Sequence, residues 1–281
     1  MFLGKPTASE TGNPLIQRCL TALVLIPLLL LVLLKGGRGL FAAVILLVSL
    51  LGQGEFLKMF QVGGHHRLLQ LILGALVTLS FCLAPRTPPI PLFVMVACLF
   101  TLFLFYLLSY EHLQNLLGEL ALNTLGLLYL SFLVGHFIWL RFLPGGEWWV
   151  LWLLAVVFAG DTAAYFTGLT LGKRKLYVQV SPGKTWEGTL GGLAANLVVG
   201  ITLGQWCLTP LTAWSLAWLA LGLGLLGLLG DLFESMLKRQ AQIKDASNLL
   251  PGHGGMLDRL DSLLFTAPAL VYARLLVFNL G

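Results

Sequence analysis

The stretch AWSLAWLALGLGLLGLLGDLFESMLKRQ, from Ala213 to Gln240, joins a long apolar run to a strongly charged end. Its first part, Ala213–Gly230, carries no charge and approaches the roughly 20 residues that a membrane-spanning helix needs. Eight similar runs occur elsewhere, so the sequence predicts an all-α fold, a polytopic membrane helical bundle of about nine transmembrane helices. The other runs are Cys19–Leu34, Gly39–Gly52, Leu68–Leu83, Ile90–Tyr110, Ala121–Leu140, Trp148–Leu171, Gly188–Leu208 and Ser262–Leu280.

The composition argues against an aqueous globular protein. Hydrophobic residues make up 58% of the 281 residues and charged residues only 10%, with a mean hydropathy of +0.89, whereas soluble domains are about a quarter charged. The formal net charge of +5 reports membrane orientation, and nothing in the chain resembles a nucleic-acid-binding module. The four cysteines show neither metal-site spacing nor a paired framework, which favours small buried apolar residues.

The basic residues predict the orientation of the bundle. With nine spans, the side that holds the N-terminus carries 12 of the 17 lysines and arginines and the opposite side carries 4. The positive-inside rule makes the richer side the cytoplasm. Loops 172–187 and 231–261 then share that face. The weakest run, Gly39–Gly52, is also compatible with a short buried or interfacial helix.

Two features inside the apolar runs stand out. Asp161 lies in FAGDTAAYFTG, and an ionisable residue at membrane depth marks either a functional site or a carboxylate that pins two helices together. Both alternatives remain open from the sequence. Gly168 and Gly172 form a GxxxG motif, which favours close helix packing.

The loop between residues 172 and 187 ends in a candidate phosphate-binding turn. Ser181, Lys184 and Thr185 belong to SPGKT, which runs directly into a helix that begins near Trp186. Hydroxyls, an ammonium group and free backbone N–H groups at a helix N-terminus suit a phosphate. The turn differs from a Walker A motif, which requires GxxxxGK[ST] after a strand.

Carboxylates gather near the ends of the last two apolar runs. If the helix continues past the membrane, Asp231 and Lys238 share one of its faces, while Asp258 and Asp261 stand three residues apart as the next helix begins. Converging carboxylates repel one another unless a cation lies between them, and hard oxygen ligands suit Mg²⁺. The alternative is a solvated loop with mutual salt bridges. His253 is either a phosphate or catalytic contact or a histidine that hydrogen-bonds its own glycine-rich loop.

The chain resembles the phosphatidate cytidylyltransferase (CDP-diacylglycerol synthase) family. The signature of that family is Ser-x-apolar-Lys-Arg, four residues, Lys-Asp, and a short spacer to Pro-x-His-Gly-Gly-apolar-x-Asp-Arg-apolar-Asp. Every signature position matches here, at Ser235, Leu237, Lys238, Arg239, Lys244, Asp245, Ser247, Leu250, Pro251, His253, Gly254, Gly255, Met256, Asp258, Arg259, Leu260 and Asp261. Segments Asp161–Tyr165 and Ser181–Gly188 also match, except that Gly183 replaces a lysine of the family pattern.

The resemblance implies an enzyme that converts CTP and phosphatidate to CDP-diacylglycerol and pyrophosphate. It implies Mg²⁺ on Asp231, Asp258 and Asp261, with room for a second cation at the same carboxylates. Phosphate contacts are expected from Ser181, Lys184, Thr185, Lys238, Arg239, Lys244 and Arg259. The other candidate site residues are Asp161, Glu187, Ser235, Asp245, His253, Gly254 and Gly255. We expect an integral membrane protein with its active site on the cytoplasmic face, in the inner membrane if the source is bacterial.

The resemblance covers mainly the second half of the chain and suggests a division in two. Residues 1–147 form the N-terminal membrane-spanning part of about five helices. Residues 148–281 form the C-terminal catalytic part, with about four helices and the cytoplasmic loops 172–187 and 231–261. The expected partners are CTP, phosphatidate and the lipid bilayer, with no nucleic acid. Glycine-rich helices are also compatible with a homodimer.

Three other functions are alternatives to a cytidylyltransferase. A transporter suits Asp161 and the glycine-rich helices, but transporters place their polar site near mid-bilayer, whereas the polar residues here concentrate at one face. A CTP-dependent lipid kinase of the dolichol-kinase type would release CDP instead of pyrophosphate. A CDP-alcohol phosphatidyltransferase is excluded because its Asp-Gly-x-x-Ala-Arg motif is absent.

Overall fold

The computed structural model describes residues 23, 27–62, 64–112, 115–208, 211–247, 249 and 254–278. Within these residues, seven helices are long and apolar enough to cross a membrane, and one further apolar helix is shorter. The helices are α1 (Gly37–Met59), α2 (Gly64–Ser80, the shorter one), α3 (Ile90–Leu108), α4 (Leu116–Phe142), α5 (Gly146–Leu171), α6 (Trp186–Cys207), α7 (Ala213–Gln240) and α8 (Leu257–Val277).

The predicted fold class is confirmed, because the chain is a polytopic bundle of apolar helices. Eight of the nine predicted runs coincide with α1 to α8. The run Gly39–Gly52 is part of the 23-residue α1, which is long enough to span. In the first run, Cys19–Leu34, residues 27–34 are helical, whereas 19–22 and 24–26 lie outside the described residues, so a count of nine spans stays a prediction.

Buried polar side chains join the N-terminal helices. The Ser49 hydroxyl on α1 donates to the Leu130 carbonyl of α4 at 2.6 Å and pairs with the Thr78 hydroxyl of α2 at 3.0 Å. Gln53, one turn further along α1, donates to the Ser131 hydroxyl. Leu130 and Ser131 belong to a π-helical segment of α4, Leu127–Phe132. Because hydrocarbon offers no hydrogen-bond partners, these contacts fix α1 against α2 and α4.

Glycines allow the C-terminal helices to touch. A Cβ at Gly188 of α6 would lie 3.1 Å from the Cα of Gly168 on α5, which confirms the close packing predicted from the GxxxG motif. Helices α7 and α8 meet at Gly230, where a Cβ would lie 2.3 Å from the Asp261 carbonyl oxygen. This approach brings Asp231, the residue after Gly230, next to the first turns of α8.

The loop between α5 and α6 forms a small hairpin, which was not predicted from the sequence. Strands β1 (Lys175–Tyr177) and β2 (Ser181–Thr185) pair antiparallel. The Thr185 hydroxyl accepts the Gly188 N–H at 3.1 Å and caps α6. Glu187 accepts the backbone N–H groups of Lys173 at 3.0 Å and Arg174 at 3.2 Å. The SPGKT segment is therefore a strand that leads into a capped helix.

One hydrophobic core crosses the boundary proposed at residue 147. It includes Phe56 of α1, Ile138 of α4, Trp152 of α5 and Leu264 of α8, all with no exposed surface. The N-terminal helices therefore support the helices of the C-terminal part directly.

The contact between α5 and α6 gives a stability prediction. A Cβ at Gly192 would lie 2.9 Å from the Gly160 carbonyl oxygen and 3.0 Å from the Ala164 Cβ, so Gly192→Ala must push the two backbones apart. We expect a loss of about 1–3 kcal/mol, typical of overpacking, measured by thermal unfolding in detergent. Gly222→Ala is the control, because a Cβ there would meet no described atom within 4 Å. Equal unfolding temperatures for the two variants would contradict this packing.

Candidate active site

The hairpin and the end of α7 meet at one face of the bundle. Lys184 of β2 forms an ion pair with Asp231 of α7, with 2.5 Å between Nζ and Oδ2. Arg239, near the end of α7, donates from Nε to the Val180 carbonyl at 3.2 Å. These contacts confirm the prediction that loops 172–187 and 231–261 lie on the same face.

Three aspartates from three helices lie close together at this face. The contact of α7 with α8 at Gly230 brings Asp231 and Asp261 close together. Asp161 of α5 and Asp261 are each within electrostatic reach of Asp231. The Asp161 side chain is exposed, while Asp231 and Asp261 are half-buried. Asp161 therefore lies with the polar site and is accessible to a ligand.

Asp231 is held in place by neighbours on both sides. Ser235, one turn further along α7, donates its hydroxyl to Asp231 Oδ1 at 3.3 Å, while Lys184 pairs with Oδ2. The carboxylate is thus oriented but keeps part of its surface accessible, with 27% of the side chain exposed. A ligand or cation can reach it from the polar face.

Asp258 has different surroundings. Its carboxylate accepts Lys238 Nζ at 2.8 Å, the Gly255 N–H at 2.7 Å and the Ala246 N–H at 3.1 Å. Lys238 also pairs with Glu234 at 2.6 Å. All three charged side chains are largely buried, with 12% of Lys238, none of Glu234 and 9% of Asp258 exposed. Asp258 therefore ties α7 and the preceding loop to the first turn of α8.

The predicted three-aspartate metal cluster is not assembled in the part of the chain that the structure describes. No three His, Cys, Asp or Glu side chains among those residues are arranged to hold one metal ion. Asp258 is engaged by Lys238 and two backbone amides, whereas Asp231 and Asp261 lie close to each other, and 27% of the Asp231 side chain is exposed. Mg²⁺ is usually held by one or two carboxylates together with substrate phosphates, so this pair fits such an ion.

The remaining predicted residues fall into three groups. Lys244, Asp245, Arg239 and Arg259 are exposed, and Ser181 is partly exposed in β2. Glu187 is a partner of the hairpin backbone, as described above. His253 lies outside the described residues.

The glycines of the loop have specific steric roles. Gly254 has φ of +77°, a left-handed conformation that favours glycine, and a Cβ there would lie 2.7 Å from Asp258 Oδ2. Gly255 packs against Glu55 of α1, where a Cβ would lie 2.6 Å from Oε2. Both glycines therefore let the backbone approach a carboxylate closely.

The chain is similar in sequence to a known protein family. The model of the cytidylyltransferase family matches residues 16–277. The chain belongs to this family. It is 34% identical to the phosphatidate cytidylyltransferase of Synechocystis sp., over 91% of this chain and 95% of that protein, and 34% identical to the one of Staphylococcus haemolyticus, over 90% and 96%. It is also 43% identical to the uncharacterized protein YnbB of Escherichia coli, an alignment that spans about half of each chain.

Two residues near the site of this cytidylyltransferase were not predicted from the sequence. Glu55 is buried at the end of α1 and reaches the segment before α8, but the predicted run ends at Gly52 and leaves it in a loop. Tyr129, in the π-helical segment of α4, is 2% exposed and lies within electrostatic reach of Asp231 and Asp261. A buried acid in an otherwise apolar helix is the signal that marks Glu55, whereas nothing local marks Tyr129.

The buried charges around Lys238 give a second prediction. Lys238→Met leaves Glu234 and Asp258 buried without a cation, and we expect a loss of about 3 kcal/mol, as for other buried pairs that lose one partner. Adding Glu234→Gln removes one of the two negative charges and should recover part of that loss. Unfolding in detergent measures both effects, with Arg239→Met as the control because Arg239 is exposed. The account is wrong here if Lys238→Met and Arg239→Met are equally stable.

Proposed function

We propose that this enzyme transfers the cytidylyl group of CTP to phosphatidate and releases pyrophosphate, at the cytoplasmic face of the membrane. The relatives from Synechocystis sp. and Staphylococcus haemolyticus are named for this activity. The signature from Ser235 to Asp261 also resembles that of the phosphatidate cytidylyltransferase family. The observation that carries the proposal is the pair Asp231 and Asp261, with Asp231 partly exposed beside Lys184, at the face where the basic loops meet.

The reaction needs positioning more than a protein nucleophile. A bond forms between a phosphate oxygen of the lipid and the α-phosphorus of CTP. The bond from that phosphorus to the oxygen that bridges the β-phosphate breaks, and pyrophosphate leaves on the opposite side. The protein must hold two anionic substrates together, which is consistent with several cations at one face.

The basic residues are assigned to the phosphates. Lys184, Arg239, Lys244 and Arg259 supply positive charge at the polar face, and charge-assisted hydrogen bonds to phosphate are strong. Lys184 pairs with Asp231 in the structure, so it is already placed next to the acidic pair. Lys238 contributes indirectly, because it holds Asp258 and the loop before α8 in place.

The acidic pair is assigned to a divalent cation. Asp231 and Asp261 would hold Mg²⁺, and Asp161 is the nearby accessible carboxylate for a second cation. Mg²⁺, when bound, neutralises charge on nucleotide oxygens and on the leaving group. The Ser235 hydroxyl and Lys184 keep the Asp231 carboxylate oriented for this purpose.

The lipid substrate is expected to approach Asp161 along α5. Phe158 and Tyr165 stand one turn before and after Asp161 on the same helix face, and 44% and 65% of these residues are exposed. An apolar, accessible face suits the acyl chains in the bilayer, and Asp161 would meet the anionic headgroup through the second cation assigned to it above.

The first test identifies the products. Purified protein is incubated with phosphatidate, Mg²⁺ and CTP that is labelled on either the α- or the γ-phosphate. We expect the α-label in a chloroform-soluble cytidine lipid and the γ-label in pyrophosphate. Formation of CDP and a phosphorylated lipid would indicate a kinase instead. Solute flux in liposomes without nucleotide consumption would indicate a transporter.

Removal of one carboxylate charge gives a third prediction. Asp261→Asn keeps the side-chain size but weakens the proposed cation site, and we expect activity to fall at least about 100-fold, since even indirect partners of metal ligands cost 10–100-fold. Initial rates are measured over a range of Mg²⁺ concentrations. Glu111→Gln, an exposed acid in the loop between α3 and α4, is the control with the same charge change. Near-normal rates with an unchanged Mg²⁺ response in Asp261→Asn would refute this role.

A further inference from the structure

We propose that Glu55 of α1 is a positioning residue that holds the described residues of segment 246–257, which are 246, 247, 249 and 254–257, in their working conformation. The kinetic part of this inference rests on the proposed function, whereas its structural part does not. Glu55 lies outside residues 148–281, the predicted catalytic part of the chain. It is about 200 residues away from its partners in sequence.

Both carboxylate oxygens of Glu55 are engaged by this segment. Oε1 accepts the Ser247 hydroxyl at 2.6 Å and the Met256 N–H at 2.9 Å, and Oε2 accepts the Leu257 N–H at 2.8 Å. Only 7% of Glu55 is exposed. A single buried side chain therefore joins Ser247, within the loop that links α7 and α8, to the start of α8.

These contacts supply a cap that α8 lacks within its own sequence. The first N–H groups of a helix have no partner inside the helix. Met256, the residue before α8, provides no side-chain cap in the described structure. Glu55 accepts N–H groups at this end instead, and its negative charge interacts favourably with the positive end of the helix dipole. The start of α8 is thus fixed by a residue from another helix.

Glu55 also connects the segment to a rigid part of the bundle. Phe56 and Leu57, its neighbours on α1, have no exposed surface. Earlier on the same helix, Ser49 hydrogen-bonds α2 and α4, and Gln53 hydrogen-bonds α4. Asp258 holds the same segment through the Ala246 and Gly255 N–H groups, but Asp258 belongs to α8 and moves with it. Glu55 therefore sets the position of the segment relative to the N-terminal helices.

The segment and the first turn of α8 lie among groups that the proposed function assigns to phosphates. Lys244 precedes the segment and Arg259 follows it, and both are exposed at the polar face. Loss of the Glu55 contacts frees the segment between them. The expected kinetic effect is therefore a higher KM for CTP, with a smaller change in the KM for phosphatidate, whose assigned approach lies along α5.

The test uses Glu55→Gln in the full-length protein, because this change keeps the side-chain volume. A glutamine has one accepting oxygen, so it cannot satisfy Met256 and Leu257 as the carboxylate does. Hydrogen–deuterium exchange in detergent should show at least about 10-fold faster exchange for peptides that cover 246–258, since hydrogen bonds to charged groups are strong ones. Peptides from α5 and α6 should exchange as in the wild type.

Ser49→Ala is the matched control on the same helix. It removes buried hydrogen bonds of α1 to α2 and α4 and leaves the Glu55 contacts in place. Exchange at 246–258 should therefore be nearly unchanged. Ser247→Ala removes one of the three Glu55 contacts and should give a smaller increase, and it provides the measurement if Glu55→Gln does not accumulate.

The outcomes separate this inference from the proposed function. Unchanged exchange at 246–258 in Glu55→Gln, or an equal increase in α5 and α6, overturns the positioning role. A local increase supports it even if the wild-type protein forms no CDP-diacylglycerol, in which case only the proposed function fails. If the wild type is active, a KM for CTP that rises about 10-fold in Glu55→Gln supports the kinetic part, and an unchanged KM contradicts it.

Discussion

Burying carboxylates at the end of an apolar bundle costs free energy unless each carboxylate gains a cation or N–H donors, and this constraint organises the site. The structure meets it in two ways. Asp258 and Glu55 are satisfied inside the protein, by Lys238 and by backbone N–H groups. Asp231 and Asp261 are only half-buried, and the partners of Asp231 leave part of its surface accessible. The first pair builds the loop before α8, and the second pair is the one that we propose for a cation.

This division separates residues that stand close in sequence. Asp258 and Asp261 are three residues apart on one helix, yet Asp258 lies in the first turn, where it meets Lys238 and loop amides. Asp261 lies one turn later, where the Gly230 contact brings α7 close enough for Asp231 to approach. The geometry of the helix ends, more than the number of carboxylates, thus decides which aspartate can bind a cation. We propose this pair, rather than Asp258, as the cation site for phosphoryl-type transfer with Mg²⁺.

Features that depend on local composition could be predicted from the sequence. The apolar runs predicted eight described helices, and the signature from Ser235 to Asp261 indicated the family. The GxxxG motif predicted close helix packing, and the structure shows that α6 is the partner of α5. Features that depend on distant segments could not. The turn residues of SPGKT do not reveal that the loop pairs as a hairpin, and the spacing around Asp258 does not reveal that Lys238 lies against it. Glu55 acts on residues of α8 through the tertiary fold, so no short motif contains both partners.

The central proposal is that Asp231 and Asp261 hold the cation while Asp258 holds the loop. The most direct measurement is diffraction at the manganese absorption edge from crystals grown with Mn²⁺ and a non-reactive CTP analogue. We expect an anomalous peak in contact with the Asp231 and Asp261 carboxylates and the nucleotide phosphates, with Asp258 still paired to Lys238. A peak coordinated by Asp258 with Lys238 displaced, or a nucleotide bound away from this face, would contradict the account.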